Sequence, residues 1–233
     1  MEFLGRHAVV TGGTGVLGSA VTGALLREGA HCHVPFIVPA EAERFAHRGH
    51  ERVTLVGDVD LSDESAVARL YAGLPALWAS IHLAGGFAMA GIAATGKAGL
   101  MAQLDTNLVS AFLCSAAAVR AMRAGASGGR IVNVAARPAL EPRTGAGMTA
   151  YAAAKAGVAA LTQALAEEVV ADDILVNAIA PSILDTPANR HAMPKADWTQ
   201  WAKPDQVAAT ILFLASPRNA VTRGAVVPVY GRS

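Results

Sequence analysis

Tyr151 and Lys155 are the residues of this chain whose types and spacing best suit proton transfer. They bound the segment Tyr-Ala-Ala-Ala-Lys, and a spacing of four is about one helical turn, so both side chains share a face if the segment is helical. A lysine ammonium beside a phenol favours the phenolate and lowers the tyrosine pKa from its free value of about 10. The pair therefore predicts an acid or base that works near neutral pH.

A glycine-rich turn near the N-terminus predicts a site for phosphate groups. The apolar run 7–10 leads into Thr11-Gly12-Gly13-Thr14-Gly15-Val16-Leu17-Gly18. Glycines spaced in this way allow a tight turn and the approach of backbone to a pyrophosphate, and the following helix N-terminus offers free N–H groups. The alternative is a glycine-rich turn without a ligand. The position between a strand and an apolar helix favours the nucleotide site.

Short apolar segments alternate with helix-like segments along the chain. The predicted strands are 7–11, 31–37, 52–57, 79–84, 130–134, 174–180 and 225–229, and the predicted helices are 17–28, 40–48, 63–73, 98–123, 149–170 and 204–215. Several strands are apolar on both faces, which is typical of a parallel sheet covered on both sides. We therefore predict a doubly wound, three-layer α/β/α fold, with residues 1–233 forming one domain because no linker-like stretch divides them.

The composition favours a globular protein with a large core. Hydrophobic residues make up 53% of the 233 residues and the formal net charge is +1. No basic excess or Lys/Arg run indicates nucleic acid or a membrane surface as a partner. No apolar run reaches the ~18 residues that span a bilayer, and no signal peptide is visible. Cys32 and Cys114 are expected to be buried free thiols, so we expect a cytoplasmic protein.

The segment after the second strand leaves the choice between NAD and NADP open. In dinucleotide-binding folds, an acidic residue ~20 residues beyond the glycines binds the ribose hydroxyl, whereas an arginine accommodates a 2′-phosphate. Phe36 lies about where that acid is expected. The nearest acidic residues are Glu41 and Glu43, and the nearest arginine is Arg44.

Two further loops are predicted to contact the cofactor. Asp58-Val59 ends the third strand and is a plausible adenine contact, although a cap or turn role is the alternative for Asp58. Ala84-Gly85-Gly86 follows the fourth strand. Its small residues would let backbone run close to the cofactor, and an ordinary turn is the alternative.

In this order, the motifs resemble the short-chain dehydrogenase/reductase family over nearly the whole chain. The resemblance rests on the glycine turn, the two loops above, the Tyr151/Lys155 pair, Asn107, Ile131-Val132-Asn133-Val134 and Val176-Asn177-Ala178-Ile179-Ala180-Pro181. It implies a Rossmann-type domain, a nicotinamide cofactor and Tyr151 as the acid or base. It also implies that Lys155 orients the ribose and that Asn107 holds a relay water through the helix backbone.

The segment after the sixth strand is predicted to complete the cofactor site. Backbone from Pro181 to Ile183 would hold the nicotinamide, and Thr186 would contact the carboxamide or the pyrophosphate. We interpret 183–203 as a lid that carries aromatic surface over an apolar substrate. The alternative for its two tryptophans is ordinary packing. The substrate pocket is predicted to contain Phe87, Met89, Ala136 and Met148.

One departure from the family pattern concerns the serine that hydrogen-bonds the substrate carbonyl. The fifth strand runs into Ala135-Ala136-Arg137-Pro138, with no hydroxyl at the matching place. A narrower resemblance, to quinonoid dihydropteridine reductase, lies in 84–87, 136–140, 147–151 and above all 184–198. That enzyme also lacks the serine, because an electron-poor quinonoid ring takes hydride readily and needs less carbonyl polarisation.

These observations predict an NAD(P)-dependent oxidoreductase that transfers hydride to a C=O or quinonoid C=N acceptor. The competing hypothesis is a nucleotide-binding sensor or scaffold without turnover, which the missing serine favours. The long helices 98–123 and 149–170 are expected to pack across a subunit boundary in a homodimer or homotetramer, the alternative being packing within one subunit. No metal site is expected, because His31 and His33 have no third ligand near in sequence.

Overall fold

A seven-stranded parallel sheet lies at the centre of the structure, a computed structural model that describes residues 1–126 and 128–233. Its strands are β1 (His7–Thr11), β2 (His31–Pro35), β3 (Val53–Val56), β4 (Leu77–His82), β5 (Gly129–Val134), β6 (Ile174–Pro181) and β7 (Val226–Val229). They are ordered β3-β2-β1-β4-β5-β6-β7. Every predicted strand is present, and the ends differ from the prediction by at most two residues.

The helices that connect the strands were predicted less completely. They are α1 (Val16–Arg27), α2 (Pro39–Arg44), α3 (Glu64–Ala72), α4 (Lys97–Leu104), α5 (Ser110–Gly125), α6 (Arg137–Leu140), α7 (Thr149–Glu168), α8 (Pro187–Ala192) and α9 (Pro204–Ala215). The single helix predicted over 98–123 is α4 and α5 joined by a π-helical turn, Asp105–Val109. The sequence did not predict α6 and α8, because such short helices carry no hydrophobic period.

Helices cover both faces of the sheet, which confirms the three-layer doubly wound fold. On one face, α1 and α9 pack together and bury Val21, Leu25, Ile211 and Leu214. On the other face, α3 and α5 bury Val67, Leu70, Val119 and Met122. Because the sheet is covered on both sides, β4 is buried along its whole length, and its side chains are mostly apolar whichever way they point.

The strand order reverses between β1 and β4, and three backbone segments meet closely there. Gly12, after β1, has a φ of 63°, and a Cβ at this position would lie 2.7 Å from the backbone nitrogen of Ala84 beyond β4. A Cβ at Gly18 in α1 would lie 2.1 Å from the carbonyl oxygen of Gly12. Only glycine permits both contacts, so the turn holds the start of α1 against the ends of β1 and β4.

The helical run 97–125 corrects one expectation from the sequence. It is long and apolar enough, by length and composition alone, to cross a membrane. The sequence predicted no such segment, because polar residues interrupt every apolar run. The mean hydropathy of the helix is nevertheless high, because alanine dominates its composition. In the fold α5 packs against β4 and α3 and buries Ala117, Ala118 and Met122, as a core helix does.

Three histidines meet on one face of β1 and β2. His7 Nδ1 and His33 Nε2 are hydrogen-bonded at 3.0 Å, and the rings of His7 and His31 stack with centroids 4.9 Å apart. Burial lowers the pKa of His33 to about 4, so its imidazole is neutral at pH 7. The structure thus supplies the third imidazole that the sequence did not reveal. Even so, no group of three His, Cys, Asp or Glu among residues 1–126 and 128–233 is placed to hold a metal ion.

Candidate active site and cofactor groove

A groove of about 400 Å³ lies over the glycine turn at the carboxyl ends of β1, β2 and β3. This is the edge, next to the point where the strand order reverses, at which doubly wound sheets bind ligands. Of the residues predicted to bind the cofactor, those that line the groove are Gly12, Phe36, Val59, Ala84 and Gly85. Residues that line it without having been predicted are Thr14, Glu41, Asp60, Leu61, Ser62, Asp105, Thr106 and Ser110, together with Pro35 and Ile37.

The start of α1 fits a phosphate group. Gly15 is the N-cap of this helix, and no side chain caps it or places a carboxylate in its first turn. The first N–H groups of the helix, including those of Val16 and Leu17, therefore remain available to an anion. With glycine at the N-cap, no side chain blocks the approach of a pyrophosphate, so the turn fits the dinucleotide that the sequence predicted.

In the loop after β3, Asp60 lines the groove, whereas the sequence predicted Asp58. Asp58 has a φ of 56° and lines a neighbouring cavity of about 350 Å³, with Arg69. Asp60 lines the groove, and its carboxylate accepts hydrogen bonds from the Ser62 hydroxyl at 2.7 Å and the Ser62 amide at 2.9 Å. These bonds hold the pKa of Asp60 below its usual value. The two acids are two positions apart, and only the turn geometry distinguishes them.

Tyr151 and Lys155, the predicted catalytic pair, both lie on α7, as the helical spacing predicted. Lys155 is buried, and its Nζ donates a hydrogen bond to the backbone carbonyl of Val134 at 2.8 Å. The same Nζ lies 5.9 Å from the centroid of the Tyr151 ring. The ammonium is thus anchored to the end of β5 and lies beside the phenol without a hydrogen bond to it.

The predicted direction of the Tyr151 pKa is wrong in this structure. Burial raises the pKa of Tyr151 to about 12 and lowers the pKa of Lys155 to about 8. Removal of both groups from water penalises their charged forms, and this cost outweighs the attraction of an ammonium that is directed at Val134. Near pH 7 the phenol is protonated and the amine is still mainly an ammonium, a combination that suits proton donation.

Asn107 occupies the middle of the π-helical turn and ties it to the loop after β4. It is buried, its Nδ2 donates to the carbonyls of Gly86 at 2.9 Å and Gln103 at 3.0 Å, and its Oδ1 accepts from the Gly86 amide at 3.2 Å. The resemblance implied a role for the backbone of this residue. The structure adds a role for the side chain, which sequence reasoning missed because a π-helical turn has no sequence signature. Such turns are frequent at functional sites.

Gly85 brings the two halves of the site together. A Cβ at this position would lie 2.8 Å from Asn107 Oδ1 and 3.3 Å from Lys155 Nζ. The loop backbone at Gly85 therefore lies close to both the Asn107 amide and the Lys155 ammonium, and it also lines the groove. This contact connects the cofactor groove to the proton-transfer pair.

Of the predicted substrate residues, Phe87 contacts Tyr151 and Met89 lies near Gly147. The Phe87 ring meets the Tyr151 ring edge to face, with centroids 5.1 Å apart, and 60% of Phe87 is exposed. Met89 is also exposed, and its Cε would lie 3.5 Å from a Cβ at Gly147, the residue before Met148. Ala136 is buried at the start of α6 and brings no hydroxyl.

Segment 183–203 is held at its base and packed internally. A bridge between Leu184 and Ala202 closes it. Trp201 is buried, and Trp198 donates its Nε1 hydrogen bond to the Met193 carbonyl at 3.0 Å. Trp201 is therefore a packed side chain, which was the alternative to a role in covering the substrate. The lid stays a prediction.

The predicted nicotinamide contacts lie at the entrance to this segment. Pro181 ends β6, Ile183 follows as part of a partly buried stretch, and Thr186 is the N-cap of α8. The Thr186 hydroxyl oxygen accepts the Asn189 amide at 3.2 Å. Its hydroxyl proton remains available to a ligand, because a hydroxyl donates one bond and accepts others.

Comparison with known proteins agrees with this geometry. The family model of short chain dehydrogenases matches residues 6–197. Galactitol 2-dehydrogenase of Rhizobium johnstonii is 34% identical over 97% of this chain and 93% of its own length. A 3-oxoacyl-[acyl-carrier-protein] reductase of Pseudomonas aeruginosa is 33% identical over 99% of this chain and 98% of its own. A solved short chain dehydrogenase/reductase family protein superposes with a TM-score of 0.89, is 30% identical, and covers 99% of this chain and 98% of its own.

We expect Gly85→Ala to destabilise the fold and to weaken dinucleotide binding. The new methyl group would lie 2.8 Å from the anchored Asn107 amide, and overpacking of this kind costs about 1–3 kcal/mol. Urea unfolding and a dinucleotide titration would measure the two effects. The control is Gly91→Ala, at an exposed position with nothing within 4 Å of the new carbon. Equal stability and affinity in the two variants would contradict the proximity of Gly85 to Asn107.

Proposed function

The chain belongs to the short-chain dehydrogenase/reductase family and is an NAD(P)-dependent oxidoreductase, and within that class we propose that it reduces C=O or quinonoid C=N acceptors with Tyr151 as the proton donor. The observation that carries the proposal is the position of the buried Lys155 Nζ, 5.9 Å from the centroid of the partly buried Tyr151 ring. The raised pKa of Tyr151 keeps its phenol protonated, and Lys155 lies next to it as an ammonium near pH 7.

The proton balance follows from this pair. A nicotinamide bound in the groove would supply the hydride that adds to the carbon of the acceptor. The electron pair of the double bond moves to the oxygen or nitrogen, which takes the phenolic proton of Tyr151. The Lys155 ammonium stabilises the resulting phenolate, and the phenol recovers its proton from water. Asn107 positions the loop after β4 through its hydrogen bonds to the backbone of Gly86.

The absence of a hydroxyl at Ala136 favours an acceptor that needs little polarisation. A quinonoid ring meets this requirement, and the exposed apolar side chains of Phe87, Met89 and Ile92 suit a flat or apolar substrate. A dihydropteridine reductase-like activity is therefore our leading specific candidate. The names of the relatives support a second candidate, a secondary alcohol or 3-oxoacyl substrate.

The competing proposal of a sensor or scaffold without turnover rests on Ala136 alone. The arrangement of Tyr151, Lys155 and Asn107 argues against it, because a protein that only binds nucleotide has no need for a buried ammonium beside a protonated phenol. We also propose a cytoplasmic location, because Cys32 and Cys114 are both buried free thiols.

Turnover and its dependence on Tyr151 can be tested together. Purified protein with NADH or NADPH is expected to reduce at least one of quinonoid dihydropterin, quinones and 3-oxoacyl esters, measured as loss of nicotinamide absorbance. Tyr151→Phe should lower kcat by ~10²–10⁴-fold, the usual contribution of a general acid, and leave cofactor affinity nearly unchanged. Cofactor binding without turnover would instead support the sensor. A near-normal rate in Tyr151→Phe would show that the proton comes from elsewhere.

A substitution at Ala136 can test whether the natural acceptor needs a hydrogen bond from a hydroxyl at this position. We expect Ala136→Ser to increase kcat/KM for plain ketones, because the added hydroxyl can donate a hydrogen bond to the carbonyl oxygen. The rate with a quinonoid acceptor should change much less. An equal effect on both acceptors would argue against the idea that the natural substrate needs no hydroxyl there.

The pH dependence of kcat/KM should report Lys155. Burial lowers its pKa to about 8, so the ammonium is present below that pH and is lost as the pH rises through it. We therefore expect kcat/KM for reduction to fall above about pH 8, whereas Tyr151, with a pKa of about 12, stays protonated. Lys155→Arg should keep its charge and move the fall to higher pH. A wild-type profile that is flat to pH 9.5, roughly 1.5 units above this value, would contradict the assignment.

We propose further that the protein forms a homodimer or homotetramer through α4, α5 and α7. Leu100, Met101 and Phe112 are exposed on α4 and α5, and exposed apolar side chains on neighbouring helices are typical of an interface. Light scattering after size-exclusion chromatography should give a mass of two or four chains. Phe112→Glu should shift it towards one chain, whereas Leu4→Glu, on the exposed N-terminal turn, should not. A wild-type monomer would overturn this proposal.

A further inference from the structure

We propose that Glu41 makes this enzyme selective for NAD over NADP, by accepting a hydrogen bond from the adenosine ribose and repelling a 2′-phosphate. This inference rests on the proposed function, because it concerns the nucleotide that the enzyme uses. It assigns the task to a residue on α2, beyond the position at the end of β2 where dinucleotide-binding folds usually carry their acid.

Phe36 cannot perform that task. Its side chain has no hydrogen-bonding group, and its ring lies against Gly57, where an added Cβ would be 3.1 Å from the ring. Its amide donates to the Val56 carbonyl at 2.9 Å, and its carbonyl accepts from the Val59 amide at 3.1 Å. Phe36 therefore contributes an apolar wall of the groove, and any group that recognises the ribose must come from a neighbouring element.

Glu41 is placed to be that group. Helix α2 begins at Pro39, shortly after β2, and Glu41 lies in its first turn. The Glu41 carboxylate reaches back to the glycine turn, where its Oε2 accepts a hydrogen bond from the Thr14 hydroxyl at 3.1 Å. Thr14 and Glu41 both line the groove. The second carboxylate oxygen, Oε1, accepts no hydrogen bond from the described residues, so it is available to a ribose hydroxyl.

The charges around the groove oppose an additional phosphate. The acidic residues that line it are Glu41, Asp60 and Asp105. Within residues 1–126 and 128–233, no lysine or arginine lines this groove. Arg44, the nearest arginine in sequence, donates its Nε hydrogen bond to the carbonyl of Ala40 on its own helix. A 2′-phosphate with a charge of about −1.5 to −2 would thus face carboxylates without a cation to balance it.

The direct test is the affinity of the full-length protein for the two reduced cofactors. NADH and NADPH carry the same nicotinamide, so an increase in its fluorescence reports binding of either one without turnover. We expect wild-type protein to bind NADH at least tenfold more tightly than NADPH. Glu41→Gln should weaken NADH binding several-fold and strengthen NADPH binding, and Glu41→Arg should reverse the preference.

A matched control is available on the same short helix. Glu43 is exposed and does not line the groove, so Glu43→Gln removes the same charge from α2 and should leave both affinities unchanged. Equal effects of the Glu41 and Glu43 substitutions, or tighter binding of NADPH by the wild type, would overturn the inference while leaving the proposed function intact. Binding of neither cofactor would instead remove the proposed function itself.

Discussion

The burial of the Lys155 ammonium is the constraint on which the rest of the site depends. A charged amine without water costs several kcal/mol unless polar groups surround it, and here the Val134 carbonyl at the end of β5 takes one of its protons. This bond ties α7 to the end of β5, and the face of α7 that carries Lys155 also carries Tyr151. Desolvation also keeps the phenol of Tyr151 protonated. Removal from water therefore governs both the need of Lys155 for this bond and the acid strength of Tyr151.

The parallel sheet explains why the cofactor groove and the proton donor are neighbours. The carboxyl ends of β1 to β6 lie at one edge, so loops that are far apart in sequence meet there. Gly12, Gly18 and Gly85 let these loops approach to distances at which a Cβ would collide with backbone or with the Asn107 amide. Asn107 then binds both backbone groups of Gly86. Close backbone contact, more than side-chain packing, thus connects the two halves of the site.

Most of the fold could be predicted because its signals are local. Strands buried on both faces are apolar throughout, so they were found to within two residues. The spacing of Tyr151 and Lys155 correctly predicted that both residues lie on one helix. Elements without a local signal were missed. Helices α6 and α8 are too short to show a period, and the π-helical turn at Asn107 looks like ordinary helix in a sequence. The sequence predicted Asp58, but Asp60 lines the groove, because turn geometry and not residue type decides which acid faces it.

The sequence by itself determined the order of elements, the placement of Tyr151 and Lys155 on one helix, the lack of a hydroxyl at Ala136 and the absence of an acid at Phe36, since each is a matter of residue type and spacing. Only the tertiary structure decided the direction of the Tyr151 pKa and the residue that faces the ribose side of the groove. Desolvation depends on everything that covers a group, and the reach of Glu41 to Thr14 depends on where α2 packs. Both properties depend on contacts between segments that are distant in the sequence, so no local pattern of residues predicts them.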